Sequence, residues 1–579
     1  STGNLILEAS QGSIGSTTTS LALDQKSGST TTARAQNLVN ISFDDDGNID
    51  TIYSPGDVSL TAAGSLINAN NDDLINILGS QVDLVAVGGA IGTVDNFLNV
   101  GVNLQGGIDA TAATGINMFG PSRSQFVVNS AVVSGGGGGT INLGAASQST
   151  INGLVETAGT INLSAGGRQV ITSTGDIHSG GGTINIAAGS LKMLNGATLR
   201  ADGDQVDIDT VGDAQVTGIV SGSGAADAVS INAGGSVQAA TNDPRTDITA
   251  IASGAGVKIV AALGIGDKTV DNITADGDLA NGGNAVTDVA NPLRIKTNEL
   301  DMEAQDGNIE IAALTSITAS QFTSPNGAIT VTGAGSLSIS NATSGGSQSF
   351  ISEGDLDFTQ LTTTGITGDV GDVTAKSNAG SLTGGDIAAN GSIFLSGLGV
   401  NINVATAGVD STIISTGIGN DVEFVTVEAG NDSTITSDDD IIGDTQIAGN
   451  TVKDTAGNSG EPGGDIDIKT IRARYMELAA SGKMTLPDLE VAEVLNLQAG
   501  EIIAGITQVP SGPDPLELTL TGFRGDVGIK ADVTVDAPAG LVLPELRFID
   551  TTLQTTAQQV NIQSAFVPGS LLLTTPVQT

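Results

Sequence analysis

The stretch Phe43-Asp44-Asp45-Asp46-Gly47-Asn48-Ile49-Asp50 holds the residue types and spacing best suited to chemistry. Asp44, Asp46, Asn48 and Asp50 fall at alternating positions, and Gly47 permits a sharp bend among them. Hard oxygen ligands converging from one loop are what Ca²⁺ requires, so these four residues form the candidate metal set, with calcium as the cofactor. The loop is not an EF-hand. Counting from Asp44, the glycine is fourth rather than sixth, and the twelfth residue is Pro55. The competing reading is a solvated acidic turn, because Asp-Gly and Gly-Asn favour turn geometry by themselves. Asp438-Asp439-Asp440 with Asp444 makes a second, weaker cluster.

Catalytic chemistry has less to work with. The single histidine, His178 in Asp176-Ile177-His178, has no Ser or Cys partner nearby and reads as a strand-end or turn residue. Polysaccharide-processing enzymes need carboxylates converging with Arg or Lys, and usually aromatic platforms for sugar rings. This chain has two tyrosines, Tyr53 and Tyr475, and no tryptophan. Carboxylates are so abundant that pairs of them discriminate nothing. The expectation is that the chain is not an enzyme, and a β-helical polysaccharide lyase or hydrolase is the least favoured reading.

The elements that would position these residues are written in a repeat. Apolar, small polar, apolar triplets recur at Ile141-Asn142-Leu143, Ile161-Asn162-Leu163, Ile184-Asn185-Ile186, Val206-Asp207-Ile208 and Val229-Ser230-Ile231, in steps of 20, 23, 22 and 23 residues. Val58-Ser59-Leu60 and Val82-Asp83-Leu84 follow the same pattern, with looser copies at Ile393, Val422 and Ile466. Alternation with period two marks strands with one buried face. One such repeat cannot bury its apolar face alone and must stack on its neighbours.

The expected fold is therefore all-β: a right-handed parallel β-helix of about 20–24 residues per coil. At ~4.8 Å per coil, some 25 coils would extend on the order of 100 Å. Stacking would place Asn142, Asn162, Asn185, Asp207 and Ser230 one above another. Two readings follow: an amide ladder, or small polar residues that merely suit a solvent face. The break at Asp207 and Ser230 favours the second.

Irregularities mark turns and loops. Ser134–Gly139 reads as a tight corner between strands. Thr241-Asn242-Asp243-Pro244 and the segment 276–284 read as loop insertions, and the step from Val229 to Val257 stretches to 28 residues. Nine of the 14 prolines follow residue 460. This predicts a shaft over 1–470 with loop insertions, then variant β-helical coils or a small β-domain over 471–579.

Composition bounds the partners. With 63 acidic against 20 basic residues, the formal net charge is −43. Nucleic acid is excluded as a partner, since phosphate binding needs a positive surface. The absence of cysteine removes disulfide and thiol chemistry. No run of ~18 apolar residues would make a membrane-spanning helix. The opening Ser1-Thr2-Gly3, followed at once by a strand-like phrase, reads as an internal or processed portion of a longer polypeptide.

The phrases GTINLSAGG, GTINIAAGS, DVSLTAAGSL and NLILEASQGSIG resemble the coils of filamentous-haemagglutinin-like exoproteins, the large adhesins of two-partner secretion. The pattern covers roughly residues 1 to 470, and the segment from Thr521 onward is similar to parts of very large repetitive bacterial surface proteins. Ser324-Pro325-Asn326-Gly327 only grazes the family's Asn-Pro-Asn-Gly secretion motif, and it lies mid-chain. The resemblance implies a right-handed β-helical shaft, export through an outer-membrane transporter, and an extracellular place on the bacterial cell surface. It also implies attachment, cell-cell contact or biofilm cohesion. The partners would be host or neighbouring-cell glycans or proteins, or other copies of the chain. The runner-up is a subunit of an extracellular filament or sheath.

Overall fold

In a computed structural model, the described residues are 3–70, 72–103, 106–240, 247–266, 292–457, 463–509 and 514–575. The loop segments expected at 241–244 and 276–284 lie outside them. The chain folds as an all-β, right-handed parallel β-helix, a repetitive solenoid of about 24 turns. Two compact units divide it, Ser1–Leu314 and Thr315–Thr579.

In the first unit the recurring triplets pair in register. Ile141, Ile161, Ile184, Val206, Val229 and Val257 are successive partners in one row of parallel strands. Their side chains are all fully buried. The alternation explains this directly, because a one-residue slip would turn every apolar side chain outward. Each large aliphatic group so buried contributes about 1.5–3 kcal/mol relative to exposure. The tract Ser134–Gly139 is a turn between the strands Phe126–Val133 and Ile141–Ala145, with Gly138 at φ 74°.

The polar position between the apolar residues is more ordered than its chemistry demanded. Asn142 Nδ2 donates to Asn117 Oδ1 at 2.6 Å, Asn162 Nδ2 to Asn142 Oδ1 at 2.6 Å, and Asn185 Nδ2 to Asn162 Oδ1 at 2.7 Å. The amide ladder, the reading disfavoured from sequence, forms over four rungs. It stops where Asp207 replaces asparagine, because an ionised carboxylate has no proton to donate to Asn185 Oδ1.

In the second unit two rows of inward residues run through successive coils. One passes through Val400, Val422, Ile441, Ile466 and Met484. The other passes through Val373, Ile393, Ser411, Ser433, Val452 and Met476. Parallel pairing continues through residue 470. The strand Ile466–Ala480 pairs with Ile441–Ala448 and Thr451–Ala456 on one side and with Lys483–Gln498 on the other. Farther on, Gly528–Asp536 pairs in parallel with Leu546–Thr555. The division between compact units falls at Leu314, and the described strands beyond 470 pair in parallel. Pro487 is exposed and sits at a register shift between Leu486 and Leu489, where a residue without an amide proton is tolerated.

Glycine is required where coils press closest. A Cβ on Gly449 would lie 2.1 Å from the Gly430 carbonyl oxygen, closer than any real contact. At Gly443 a Cβ would lie 2.2 Å from the ring of Phe424, so the flat ring takes the space that glycine leaves in the next coil.

Candidate functional site

At the corners between faces of a coil, the amide at or just before the start of a strand needs an acceptor, since buried backbone donors are almost always paired. Here a side chain one coil earlier supplies it. Asp421 Oδ1 accepts from the Asp440 amide at 3.2 Å, Asp440 Oδ1 from the Asp465 amide at 2.8 Å, and Asp465 Oδ1 from the Lys483 amide at 2.6 Å. At another corner of the same unit, Asp372 accepts from Ser392 at 2.7 Å, Asp410 from Asp432 at 3.1 Å and Asp432 from Thr451 at 3.0 Å. These aspartates are therefore structural. Each stands just before a strand and caps the next coil.

This logic places the residues of the first acidic stretch. Asp46 Oδ1 accepts from the Ser65 amide at 2.7 Å, and Ser65 Oγ accepts from the Ala90 amide at 3.2 Å. Asp50 is on the strand Gly47–Tyr53. Its Oδ2 accepts from Thr32 Oγ1 at 2.7 Å and its Oδ1 from Asn70 Nδ2 at 2.5 Å. Those two bonds hold its carboxyl below the ordinary range. The backbone of Asn48 pairs with the Gln25 side chain, donating to Oε1 at 3.0 Å and accepting from Nε2 at 3.3 Å. Asp44 is exposed in the preceding turn. The carboxylates of Asp44, Asp46 and Asp50 are not gathered into one cluster; Asp46 and Asp50 each serve a neighbouring coil.

Among the described residues, the acidic side chains that do converge are Asp421, Asp439 and Asp440, whose ligand oxygens lie within 4.8 Å of one another. All three are partly buried. Burial pushes the Asp440 carboxyl up, against the lowering bond from the Asp465 amide; the charges of Asp439 and Asp465 raise it further. Three hard oxygens in repulsion are what a divalent cation would relieve. Asp438 and Asp444, named with this cluster from sequence, stay outside it, and Asp444 instead bonds Lys469. Asp421 was missed because it is one coil away. Its signal is an aspartate immediately before a strand-opening Val or Ile, repeated at Asp421, Asp440 and Asp465.

Beside this corner runs an open groove of about 400 Å³ lined by Asn401, Asn403, Glu423, Val425, Ile442 and Asp444. Asn401 Nδ2 donates to Glu423 Oε2 at 2.7 Å, and Asn403 Nδ2 donates to Asp386 Oδ1 at 2.8 Å. Val425 and Ile442 are exposed between these polar groups. Amides, carboxylates and exposed aliphatic carbon alternate along the groove, a surface able to accept hydroxyls and cover C–H faces.

His178 lies within the strand Asp176–Ser179, half-buried on an outer face. Its Nε2 is 2.9 Å from Asp202 Oδ2 and its Nδ1 is 3.3 Å from Glu156 Oε1, so the ring bridges acids from the coils on either side. The His178 and Arg200 bonds hold the Asp202 carboxyl below the ordinary range. Comparison with family models, with characterised proteins and with solved structures returned no match.

Proposed function

We propose that this chain is the shaft of an extracellular bacterial adhesin of the filamentous-haemagglutinin-like kind, exported through an outer-membrane transporter. It would hold binding surfaces away from the cell and mediate attachment, cell-cell contact or biofilm cohesion. One observation carries the reading: successive rungs stack in register as parallel strands, with inner rows mainly apolar and outer rows mainly polar. Such a stack resists bending and offers long lateral surfaces. The Asn401–Asp444 groove supports glycans as the contacted class, and the converging Asp421, Asp439 and Asp440 support calcium as the accompanying ion. No catalytic role is proposed for His178 or the acidic clusters.

The test is retention of beads coated with the purified chain on glycan- and protein-coated surfaces, with parallel electron microscopy in calcium and in chelator. Retention by surface-bound glycans, with separate particles in both solutions, is the expected result. Calcium-dependent fibres without retention would replace this reading with the filament or sheath. Neither retention nor fibres would overturn both.

A further inference from the structure

The strand Thr451–Ala456 points Val452, Asp454 and Ala456 inward. Asp454 thereby stands in an otherwise apolar row, next to Ile435 and Leu478 and in line with Ile413. It is 1% exposed, and the Gln446 side chain reaching it from the strand Ile441–Ala448 is fully buried. Gln446 Nε2 spends one hydrogen on Asp454 Oδ1 at 3.1 Å and the other on Ser433 Oγ at 3.0 Å. Two buried oxygens remain without a partner: Asp454 Oδ2 and Gln446 Oε1.

Two acceptors cannot satisfy each other, but one proton satisfies both. The geometry points to a proton-binding site in the core of the second unit: Asp454 is protonated on Oδ2 and donates to Gln446 Oε1, closing a double acid–amide hydrogen bond. The Nε2 to Oδ1 bond already sets the acid and amide against each other. The second nitrogen hydrogen, outside such a ring, is taken by Ser433.

Among the described residues, no charge compensates an ionised Asp454. From the strand Ser433–Ser437 it meets Ile435, from Ile441–Ala448 it meets Gln446, and from Ile466–Ala480 it meets Leu478. The charged residues on these elements and on its own strand are Asp444, Lys453, Asp467, Lys469, Arg472, Arg474 and Glu477. All lie on outer faces, partly or fully exposed. Burial pushes the Asp454 carboxyl up to about 7, with Gln446 and the Ile435 backbone pulling it down.

The folded pKa is raised above that of the unfolded chain, so the folded state binds the extra proton. Stability falls as pH rises from the ordinary carboxylate range, near 4, through about 7 and levels off above that. The coils around Asp454 are therefore tightest in mildly acidic medium and loosen as pH rises toward neutrality.

The test is amide hydrogen exchange, corrected for intrinsic rate, in strands Ile441–Ala448, Thr451–Ala456 and Ile466–Ala480 between pH ~5 and ~8. Protection in the wild type should fall by up to roughly tenfold per pH unit below 7. Asp454→Asn, whose amide can make the same double bond at any pH, should hold its protection constant. Equal pH responses in the two proteins, or none in the wild type, would overturn the site. Should Asp454→Asn not fold, the wild-type infrared spectrum decides: a protonated-carboxyl band at pH ~6 that vanishes by pH ~8 supports the site, and its absence at pH ~6 refutes it.

Discussion

Two stretches of this chain look alike, Phe43-Asp44-Asp45-Asp46-Gly47 and Ser437-Asp438-Asp439-Asp440-Ile441, and their last aspartates do the same work. Asp46 and Asp440 each accept the corner amide of the following coil, from Ser65 and from Asp465. What differs is the company. The corner after Asp46 is a serine, whereas Asp440 has Asp421 one coil before and Asp465 one coil after. The first stretch holds one capping acceptor beside exposed acids, and the second is a cluster of mutually repelling carboxylates. In a solenoid, local sequence decides what a corner residue does for the backbone, and the residue one coil away decides its electrostatics.

The largest expected effect separates the two corners by substitution. Asp46→Ala leaves the Ser65 amide without an acceptor and should cost about 1–3 kcal/mol. Asp440→Ala loses the same kind of bond but also relieves repulsion, so its cost should be smaller. Denaturant unfolding of each unit, followed by local hydrogen exchange, measures both. Equal losses would mean that the neighbouring coil does not matter.

Next comes pH, where the stretches should respond with opposite sign. Asp50 is held below its unfolded value by Thr32 and Asn70, so its contribution is present above the unfolded pKa and lost as pH falls through the folded one. Asp440 is raised by burial, so acidification removes a penalty and tightens its corner. Exchange rates around residues 47–53 and 437–443, measured down the carboxylate range, should diverge. Parallel behaviour would break the comparison.

The smallest effect concerns cations. Millimolar calcium should slow exchange at the Asp440 corner more than at the Asp46 turn, and Asp421→Asn should abolish the difference while Asp44→Asn leaves it intact. Stronger protection at the Asp46 turn would instead favour Asp44, Asp46, Asn48 and Asp50 as the metal site.

How much of this was legible depends on distance along the chain. The rows through Ile141, Ile161 and Ile184 could be read because their register is written twice, in the alternation and in the repeat length. The Asn ladder is legible only in part, since Asp207 and Ser230 break the run on one side while Asn117, in Ile116-Asn117-Met118, extends it on the other. The Asp421–Asp440 contact spans one coil, and register alone creates it. Asp454 carried a readable signal: in Val452-Lys453-Asp454-Thr455-Ala456 the alternation already turns the acid inward. Gln446, reaching it from another face of the coil, carried none.

The central claim is that neighbouring coils set the chemistry of each corner, and its most direct test is a cross-link. The chain has no cysteine of its own. Glu423 and Ile442 follow Asp421 and Asp440 by two residues, are register partners, and point outward from adjacent strands. Strands ~4.8 Å apart bring the Cα atoms within the ~4.4–6.8 Å that a disulfide spans. Glu423→Cys with Ile442→Cys should therefore form an intramolecular disulfide on mild oxidation, while Glu423→Cys with Ile441→Cys, which points inward, should not. A bond in the second pair but not in the first would place Asp440 away from Asp421 and contradict the account.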